Sequence, residues 1–301
     1  MSRPIDDELA AALAEATVTR PPAGLSADTV TRALSRRPAG RPVDAPTPCP
    51  PDEAFERTVE DLHELLGSLT DAEWSATAHP EHGRVRDLVA HLVGVERLVA
   101  RWLDPTDDVP PFLDHVAATR PVVAELAGAE PGQLVTQWHA AARAVAASAA
   151  AGDRSRPITF HDLTVSIDAL LMMHTAELWA HGMDIAAGTG RPLMKLDPER
   201  MAALAGSVMA AVPDALAYRR SPIQGRTVRF VLTGQAGGVY SVPLSPEASV
   251  DEPDALIVTD VVDLCLLAVR RLRPQVLVAT IEGDEDLARL VVANLDAFAR
   301  D

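Results

Sequence analysis

The sequence has few cysteines and no long uninterrupted apolar run. Its two cysteines, Cys49 and Cys265, are far apart, and two distant thiols do not make the disulfide framework of a small secreted protein. No apolar run approaches the roughly 20 residues that a membrane-spanning helix needs. An apolar signal-peptide core is also missing, because acidic residues 6–8 fall where such a core would begin. These absences predict a soluble cytoplasmic protein.

Positive charge is scarce as well. The formal net charge is −16 at pH 7, whereas proteins that bind nucleic acid or anionic membrane surfaces present basic patches. We therefore expect neither a nucleic-acid partner nor a membrane partner, and no feature of the sequence assigns an oligomeric state. With 301 residues, of which 48% are hydrophobic, the chain is long enough to form two domains.

One polar stripe interrupts an apolar, Ala- and Leu-rich segment that has helical character. Its members are spaced three or four residues apart and lie on one face of a helix: His174, Glu177, His181 and Asp184. Buried imidazoles and carboxylates are costly unless they are paired or bind a metal. A Glu and a His four residues apart, such as Glu177 and His181, can bind one divalent ion from the same side. The stripe alone leaves two alternatives open, a hydrogen-bonded core network and a salt-bridged face exposed to solvent.

A third ligand is available from an earlier helix. Residues 84–98 carry apolar side chains at helical spacing, and His91 lies on that apolar stripe rather than among the charges at 86, 96 and 97. A single His on an apolar face is more often an ordinary core residue than a ligand. Together with Glu177 and His181, however, it gives three protein ligands and one open position, as in catalytic zinc sites. Zinc suits two imidazoles and a carboxylate, although Ni, Co or Fe would accept the same set.

The segments around these ligands resemble a known family. Arg86–Gly94 and Glu177–Asp184 are similar to motifs of the mycothiol-dependent maleylpyruvate isomerase family, a branch of the DinB-like metal-dependent thiol transferases. The resemblance implies an α+β fold, in which an N-terminal DinB-like antiparallel four-helix bundle precedes a small α+β domain similar to sterol-carrier proteins. It also implies that His91, Glu177 and His181 bind zinc and that mycothiol is the thiol cosubstrate.

The sequence divides into three parts. Residues 1–51 are rich in proline and predict a partly disordered extension. Residues 52–219 contain helical segments with short connections, which favour a bundle with the metal between facing helices. The polar stripe is expected on a helix over residues 160–187. Residues 220–301 mix strand-like and helical segments and predict the α+β domain.

Two members of the polar stripe are candidates for supporting roles. Asp184, three residues after His181, would hold the free N–H of that imidazole or, equally, form a pair near the helix end. His174 would contact the substrate, support a ligand or act as a fourth ligand.

The loop before the His91 helix departs from the family. His82-Gly83-Arg84 stands where the family usually has a Trp. His79 and His82 could reach the metal site, but exposed loop positions are the simpler interpretation. His115 is interpreted as an ordinary residue.

In this family an arginine of the second domain takes part in isomerisation. The nearest match is Arg270, next to Arg271, and the family's usual Trp-Gly before this arginine is Ala268-Val269 here. An arginine near the site would bind a carboxylate with two hydrogen bonds. The alternative for Arg270 is an ordinary arginine on the surface of a helix.

Together these inferences predict a metalloenzyme in which zinc lowers the pKa of the mycothiol thiol, so that the thiolate attacks a small electrophile. Addition to a cis double bond, rotation and elimination would isomerise a maleylpyruvate-like acid, whereas attack with loss of a leaving group is S-transfer. We prefer S-transfer, because the proline-rich extension and the altered arginine motif depart from the isomerase pattern. The alternative is a non-catalytic protein that binds a metal or a small apolar ligand.

The single lysine among 27 basic residues indicates a high-GC genome, such as those of the actinobacteria that make mycothiol.

Overall fold

A computed structural model describes residues 46–104, 114–154, 156–160, 163–297 and 299. The predicted extension, residues 1–51, lies almost entirely outside them. Contacts between residues join Ala45–Asp301 in one compact unit. In this unit a helical part precedes a part that mixes strands and helices, so the predicted α+β fold is confirmed. The domain boundary proposed near residue 220 stays a prediction.

The helical part contains seven helices and two short hairpins among the described residues. In chain order these elements are α1 (Pro51–Gly67), α2 (Asp71–Trp74), β1 (Thr77–His79), β2 (Gly83–Arg84), α3 (Val85–Leu103), α4 (His115–Glu125), α5 (Pro131–Ala151), β3 (Ile158–Phe160), β4 (Leu163–Val165), α6 (Ile167–Thr189) and α7 (Pro198–Tyr218).

Four of the long helices, α1, α3, α5 and α6, form the bundle. Helix α1 packs against α5 and α6, and α3 packs against the same two helices. Their buried faces meet in one core that includes Phe55, Leu92, Trp138 and Trp179. Burying a large apolar side chain contributes roughly 1.5–3 kcal/mol. This core therefore fixes the helices that carry the polar stripe and His91.

The helix that carries the polar stripe begins later than the sequence predicts. Residues 158–160 and 163–165 form the antiparallel strands β3 and β4 instead of a first helical turn, with Ile158 paired to Val165. Isoleucine, threonine and valine favour strands because their branched side chains fit a pleated surface. Helix α6 then starts after Ser166, whose hydroxyl accepts a hydrogen bond from the Ala169 N–H at 3.1 Å.

The second part of the unit is a four-stranded sheet with helices. Its elements are β5 (Thr227–Thr233), β6 (Gly238–Pro243), β7 (Ala255–Asp260), α8 (Val261–Ala268), β8 (Ala279–Gly283) and α9 (Glu285–Val292). The strand order is β6-β5-β7-β8, in which β5 and β7 are parallel and the other two pairs antiparallel. The sequence predicts strands over residues 227–232, 238–244 and 255–258, and the ends of β5, β6 and β7 lie within two residues of these bounds.

Helix α8 ends earlier than predicted, and its end separates two neighbouring arginines. The sequence pattern predicts a helix over residues 260–272, but the helix stops at Ala268. Arg270 then adopts a left-handed backbone with φ of 57°. The N–H groups of Arg271 and Leu272 close the turn on the Leu266 carbonyl at 2.8 and 3.1 Å. A left-handed residue after a helix is a common way to reverse the chain.

Helix α7 is long and apolar enough, by length and composition alone, to cross a membrane, although the sequence was not expected to contain such a segment. The core helix of a soluble protein passes the same test. Of the most apolar window of α7, 44% is buried inside the protein.

Candidate metal centre

The three predicted metal ligands come together inside the bundle. His91 lies on α3, and Glu177 and His181 lie one turn apart on α6. A ligand atom of His91 lies within 4.8 Å of one on Glu177 and of one on His181. Both histidines are buried and Glu177 is half-buried.

Two further histidines extend this cluster. Within the described residues, one set of mutually close ligand atoms comprises His82, His91 and His181, and another comprises His91, His115 and Glu177. The predicted triplet is therefore divided between two sets that share His91. A third set, Glu60, His63 and His139, lies elsewhere, between α1 and α5, and is more exposed.

A threonine fixes the orientation of the His91 ring. His91 Nδ1 lies 2.8 Å from Thr119 Oγ1, and this hydroxyl donates to the Val116 carbonyl at 3.0 Å. Because the hydroxyl proton is used on Val116, Nδ1 must be the donor to Thr119, which leaves the Nε2 lone pair available. Burial, with the neighbouring histidines, lowers the pKa of His91 to about 2. The ring is therefore neutral at pH 7, as a metal ligand must be.

A glycine makes this contact possible. Gly94 lies one turn after His91 on α3, and a Cβ atom added there would be 2.8 Å from Thr119 Cγ2 and 3.3 Å from its Cα. Only a residue without a side chain lets α4 approach α3 this closely. The His91-Leu92-Val93-Gly94 motif thus encodes both the ligand and the space for the residue that orients it.

Asp184 orients the second imidazole. His181 Nδ1 lies 3.1 Å from Asp184 Oδ2, as the sequence suggested. Burial by itself raises the pKa of Asp184, but the hydrogen bonds from His181 and Arg271 outweigh it, and the net pKa lies below its ordinary value. The carboxylate therefore accepts the Nδ1 proton and leaves Nε2 of His181 free to bind a metal.

Glu177 has the properties of an anionic metal ligand. Its Oε1 atom is buried and has no hydrogen-bond partner among the described residues. Burial raises the pKa of Glu177, but nearby histidines, with His174 the strongest, lower it below the ordinary value. His174 Nδ1 lies 3.9 Å from Glu177 Oε2, too far for a hydrogen bond. Because a buried carboxylate needs a partner, this donor set fits a divalent ion.

Glu96 is a buried acid that the sequence placed on the charged surface of α3. It is fully buried, and neither carboxyl oxygen has a hydrogen-bond partner in the part of the chain that the structure describes. Burial, together with the charge of Glu177, raises its pKa well above the ordinary value. The site of Glu96 beside the cluster therefore favours the neutral form of the acid, unlike the solvated surface position that the sequence suggested.

A large cavity adjoins the cluster. Its empty volume, which includes open solvent at the mouth, is about 1280 Å³, and most of its lining is apolar. Its polar lining includes His115, His174, Glu177, His181 and Arg271. Its apolar lining comes from the bundle, α7 and the end of α8, with Val95, Leu98, Trp102, Met172, Leu204, Val208, Val212 and Val269 among its members. The cavity therefore connects the metal ligands to the second part of the unit.

Comparison with known proteins identifies the family of the bundle. Residues 55–186 match the model of the mycothiol maleylpyruvate isomerase N-terminal domain. The helical bundle of this chain belongs to that family. The match covers α1 to most of α6 and includes all three predicted ligands. None of the curated proteins matches the chain.

Two solved structures share the fold. One is a crystal structure of a His-to-Ala mutant of the mycothiol-dependent maleylpyruvate isomerase, with 12% identity and a TM-score of 0.52 over 76% of this chain and 91% of that one. The other is a crystal structure of the mycothiol-dependent maleylpyruvate isomerase, with 12% identity and a TM-score of 0.50 over 73% of this chain and 88% of that one. At this identity the likeness concerns the fold. It extends beyond the bundle into the sheet.

The structure separates the two arginines considered for this family's arginine role. Arg270 Nε lies 3.2 Å from Asp296 Oδ2, and the side chain does not line the cavity. Arg271 lines the cavity and forms two hydrogen bonds with Asp184. The left-handed backbone of Arg270 sends the two neighbouring side chains to different partners. The residue next to the one predicted therefore occupies the site.

The structure also places residues at the site that sequence reasoning did not assign to it. His115 lines the cavity, and His79 and His82 are buried and half-buried rather than exposed. Thr119 belongs to no recognisable sequence motif, because a single threonine on a short helix gives no signal of its role. The nearest signal in the sequence is Gly94, because a glycine inside an apolar helix indicates close approach by another element.

Proposed function

We propose that this chain is a metal-dependent thiol enzyme, with zinc as the metal and mycothiol as the thiol cosubstrate. His91, Glu177 and His181 would hold the ion. One observation carries the proposal: Glu177, which has a buried oxygen without a hydrogen-bond partner among the described residues, lies in one cluster with His91 and further imidazoles. Family membership of the bundle supports mycothiol as the thiol.

Each residue of the proposed site has a distinct task. Thr119 and Asp184 hold the Nδ1 protons of His91 and His181, so that both Nε2 atoms accept the ion. A bound divalent ion would lower the pKa of a thiol and so supply a thiolate nucleophile. The apolar cavity walls exclude water from the reacting groups and bind the organic part of the electrophile.

The cavity favours S-transfer to an apolar electrophile over isomerisation of a maleylpyruvate-like acid. A dicarboxylate needs cationic partners, and Arg271 is the one Lys or Arg side chain among the described lining residues. Its guanidinium already binds Asp184 through two hydrogen bonds. A substrate carboxylate would have to compete with Asp184 for this arginine, whereas an apolar electrophile would need only the walls.

Metal content and thiol-dependent turnover test this proposal. Elemental analysis of the purified protein should find about one zinc per chain, lost in both His91→Ala and Glu177→Ala. With mycothiol present, the zinc-loaded protein should consume chlorodinitrobenzene faster than maleylpyruvate. A wild-type protein that stays empty after zinc addition would exclude the metalloenzyme.

A second candidate function is non-catalytic binding of a small apolar ligand, which the size and apolar lining of the cavity favour. The variant His91→Ala distinguishes the two functions. Uptake of an apolar fluorescent probe that persists in His91→Ala, without thiol-dependent turnover in the wild type, would favour the binding protein.

A further inference from the structure

His82 lies in direct contact with the two histidines of the proposed centre. Its ring stacks on His91 with centroids 4.0 Å apart and meets the edge of His181 at 5.7 Å. The ligand atoms of these three residues lie within 4.8 Å of one another. Two of the three imidazoles, His91 and His181, already use Nδ1 on Thr119 and Asp184. Nε2 is therefore the nitrogen that each of these two rings has left for an ion.

The hairpin that carries His82 is anchored on both sides. His79 Nδ1 accepts hydrogen bonds from the backbone N–H groups of Glu81 and His82 at 3.2 and 3.4 Å, which shapes the turn. The Val85 N–H donates to the Ala76 carbonyl at 2.9 Å and closes the hairpin at the start of α3. His82 is therefore fixed relative to the His91 helix.

The hairpin is also held against α6. Gly188 packs directly on β1, since a Cβ atom added there would lie 2.4 Å from the Thr77 carbonyl oxygen. In addition, Arg191 binds Glu73, just before β1, through hydrogen bonds of 2.8 Å from both Nε and Nη2. The hairpin thus bridges α3 and α6, the two helices whose ligands it joins.

We propose that His82 is a further ligand of the ion held by His91, Glu177 and His181. This inference rests on the proposed metal site and adds to it a residue from outside the bundle helices. His115 is the competing candidate, because it completes the other set with His91 and Glu177. We favour His82 because its set contains both imidazoles whose Nε2 atoms are freed by a hydrogen bond at Nδ1.

A fourth protein ligand has a consequence for the reaction. Zinc sites with four protein ligands are closed, whereas catalytic sites keep a position for water or substrate. His82 would therefore occupy the position that a thiol needs, and the hairpin would set how readily the thiol enters. Replacing His82 should weaken metal binding and at the same time open the centre.

Zinc affinity and the count of imidazole ligands test the assignment without an activity assay. All variants carry His63→Ala, which removes the exposed Glu60–His63–His139 set from the zinc count. Zinc is titrated into the metal-free full chain against a chromophoric chelator, and X-ray absorption counts the imidazoles bound. We expect His82→Ala to raise the zinc Kd about 10- to 100-fold and to reduce the bound imidazoles from three to two. His115→Ala should leave both quantities unchanged.

The outcomes separate this inference from the proposed function. Two imidazoles in the parent protein, with the same affinity in His82→Ala, would overturn the His82 assignment and leave the enzyme proposal intact. A loss of affinity in His115→Ala but none in His82→Ala would also overturn it. A parent protein that binds no zinc overturns both. Thermal unfolding of the metal-free forms, with His82→Asn as a second variant, checks that the hairpin stays folded.

Discussion

Arg271 and Asp184 join the two parts of the compact unit at the candidate metal centre. The guanidinium Nε and Nη2 atoms lie 2.8 and 2.6 Å from the two oxygens of Asp184, and the same carboxylate lies 3.1 Å from His181 Nδ1. Arg271, which follows α8, is thus linked through Asp184 to His181, a proposed metal ligand on α6. Groups that hold a metal-binding imidazole in this way affect metal affinity nearly as strongly as the ligands.

Arg271→Lys should weaken zinc binding although the charge is retained. Lysine cannot bind both carboxylate oxygens in the planar geometry of a guanidinium, so Asp184 would be free to turn away from His181. We expect the zinc Kd, measured by chelator competition, to rise about tenfold or more. Arg270→Lys is the matched control, because Arg270 pairs with Asp296. Equal effects in the two variants would contradict the role of Arg271.

Thr119→Val should have a comparable effect through His91. The change keeps the shape of the side chain but removes the oxygen that accepts the Nδ1 proton. The proton could then move to Nε2, the nitrogen needed for the metal. We expect zinc affinity to fall about 10- to 100-fold, as measured in the same competition assay.

Thr119→Ser is the control for this prediction, because it retains the hydroxyl and loses only a methyl group. Affinity close to that of the wild type in this variant, with a loss in Thr119→Val, would assign the effect to the hydrogen bond. A similar loss in both would instead assign it to packing.

The sequence was sufficient to predict that the proposed ligands come together, because their spacing follows the helical period. His91, Glu177 and His181 lie on long helices whose apolar faces define which side is buried. Strands β5, β6 and β7 were predicted within one or two residues by a different signal, their content of residues that favour strands. Helical periodicity therefore predicts a site well when its residues come from regular elements.

The sequence was insufficient where the position of a residue depends on a turn. Arg270 and Arg271 are neighbours of the same residue type, so the sequence does not distinguish them. The left-handed backbone of Arg270 decides which of the two side chains approaches Asp184. His82 belongs to a hairpin whose path depends on contacts with distant residues such as Gly188. Glu96 was misplaced because a charged residue is normally exposed.

Gly94→Ala should destabilise the bundle although alanine favours helices. The new methyl group would overlap with Thr119, whose Cβ and Cγ2 atoms would be 2.9 and 2.8 Å away. Overpacking of this kind costs about 1–3 kcal/mol, more than the gain in helix propensity of about 1 kcal/mol at most. Gly206→Ala is the matched control, because a methyl group there meets nothing within 4 Å and should stabilise α7 by about 0.5–1 kcal/mol. Chemical denaturation of the metal-free proteins measures both, and a stabilised Gly94→Ala would contradict the close contact.

Glu96→Gln should stabilise the metal-free protein, and increasingly so as the pH rises. The pKa of Glu96 is raised in the folded state, chiefly by burial. The contribution of Glu96 to folding stability is therefore complete below its pKa in the unfolded chain, near 4.5. It is lost as the pH rises towards the pKa of Glu96 in the folded protein. In that window the folded state holds one more proton, and stability falls by about 1.4 kcal/mol per pH unit. Glutamine has nearly the same shape and does not ionise, so this loss should be absent. Denaturation curves of both proteins between pH 5 and 8 measure the difference, and parallel curves would mean that a cationic or hydrogen-bond-donating partner stabilises the Glu96 carboxylate in the folded protein.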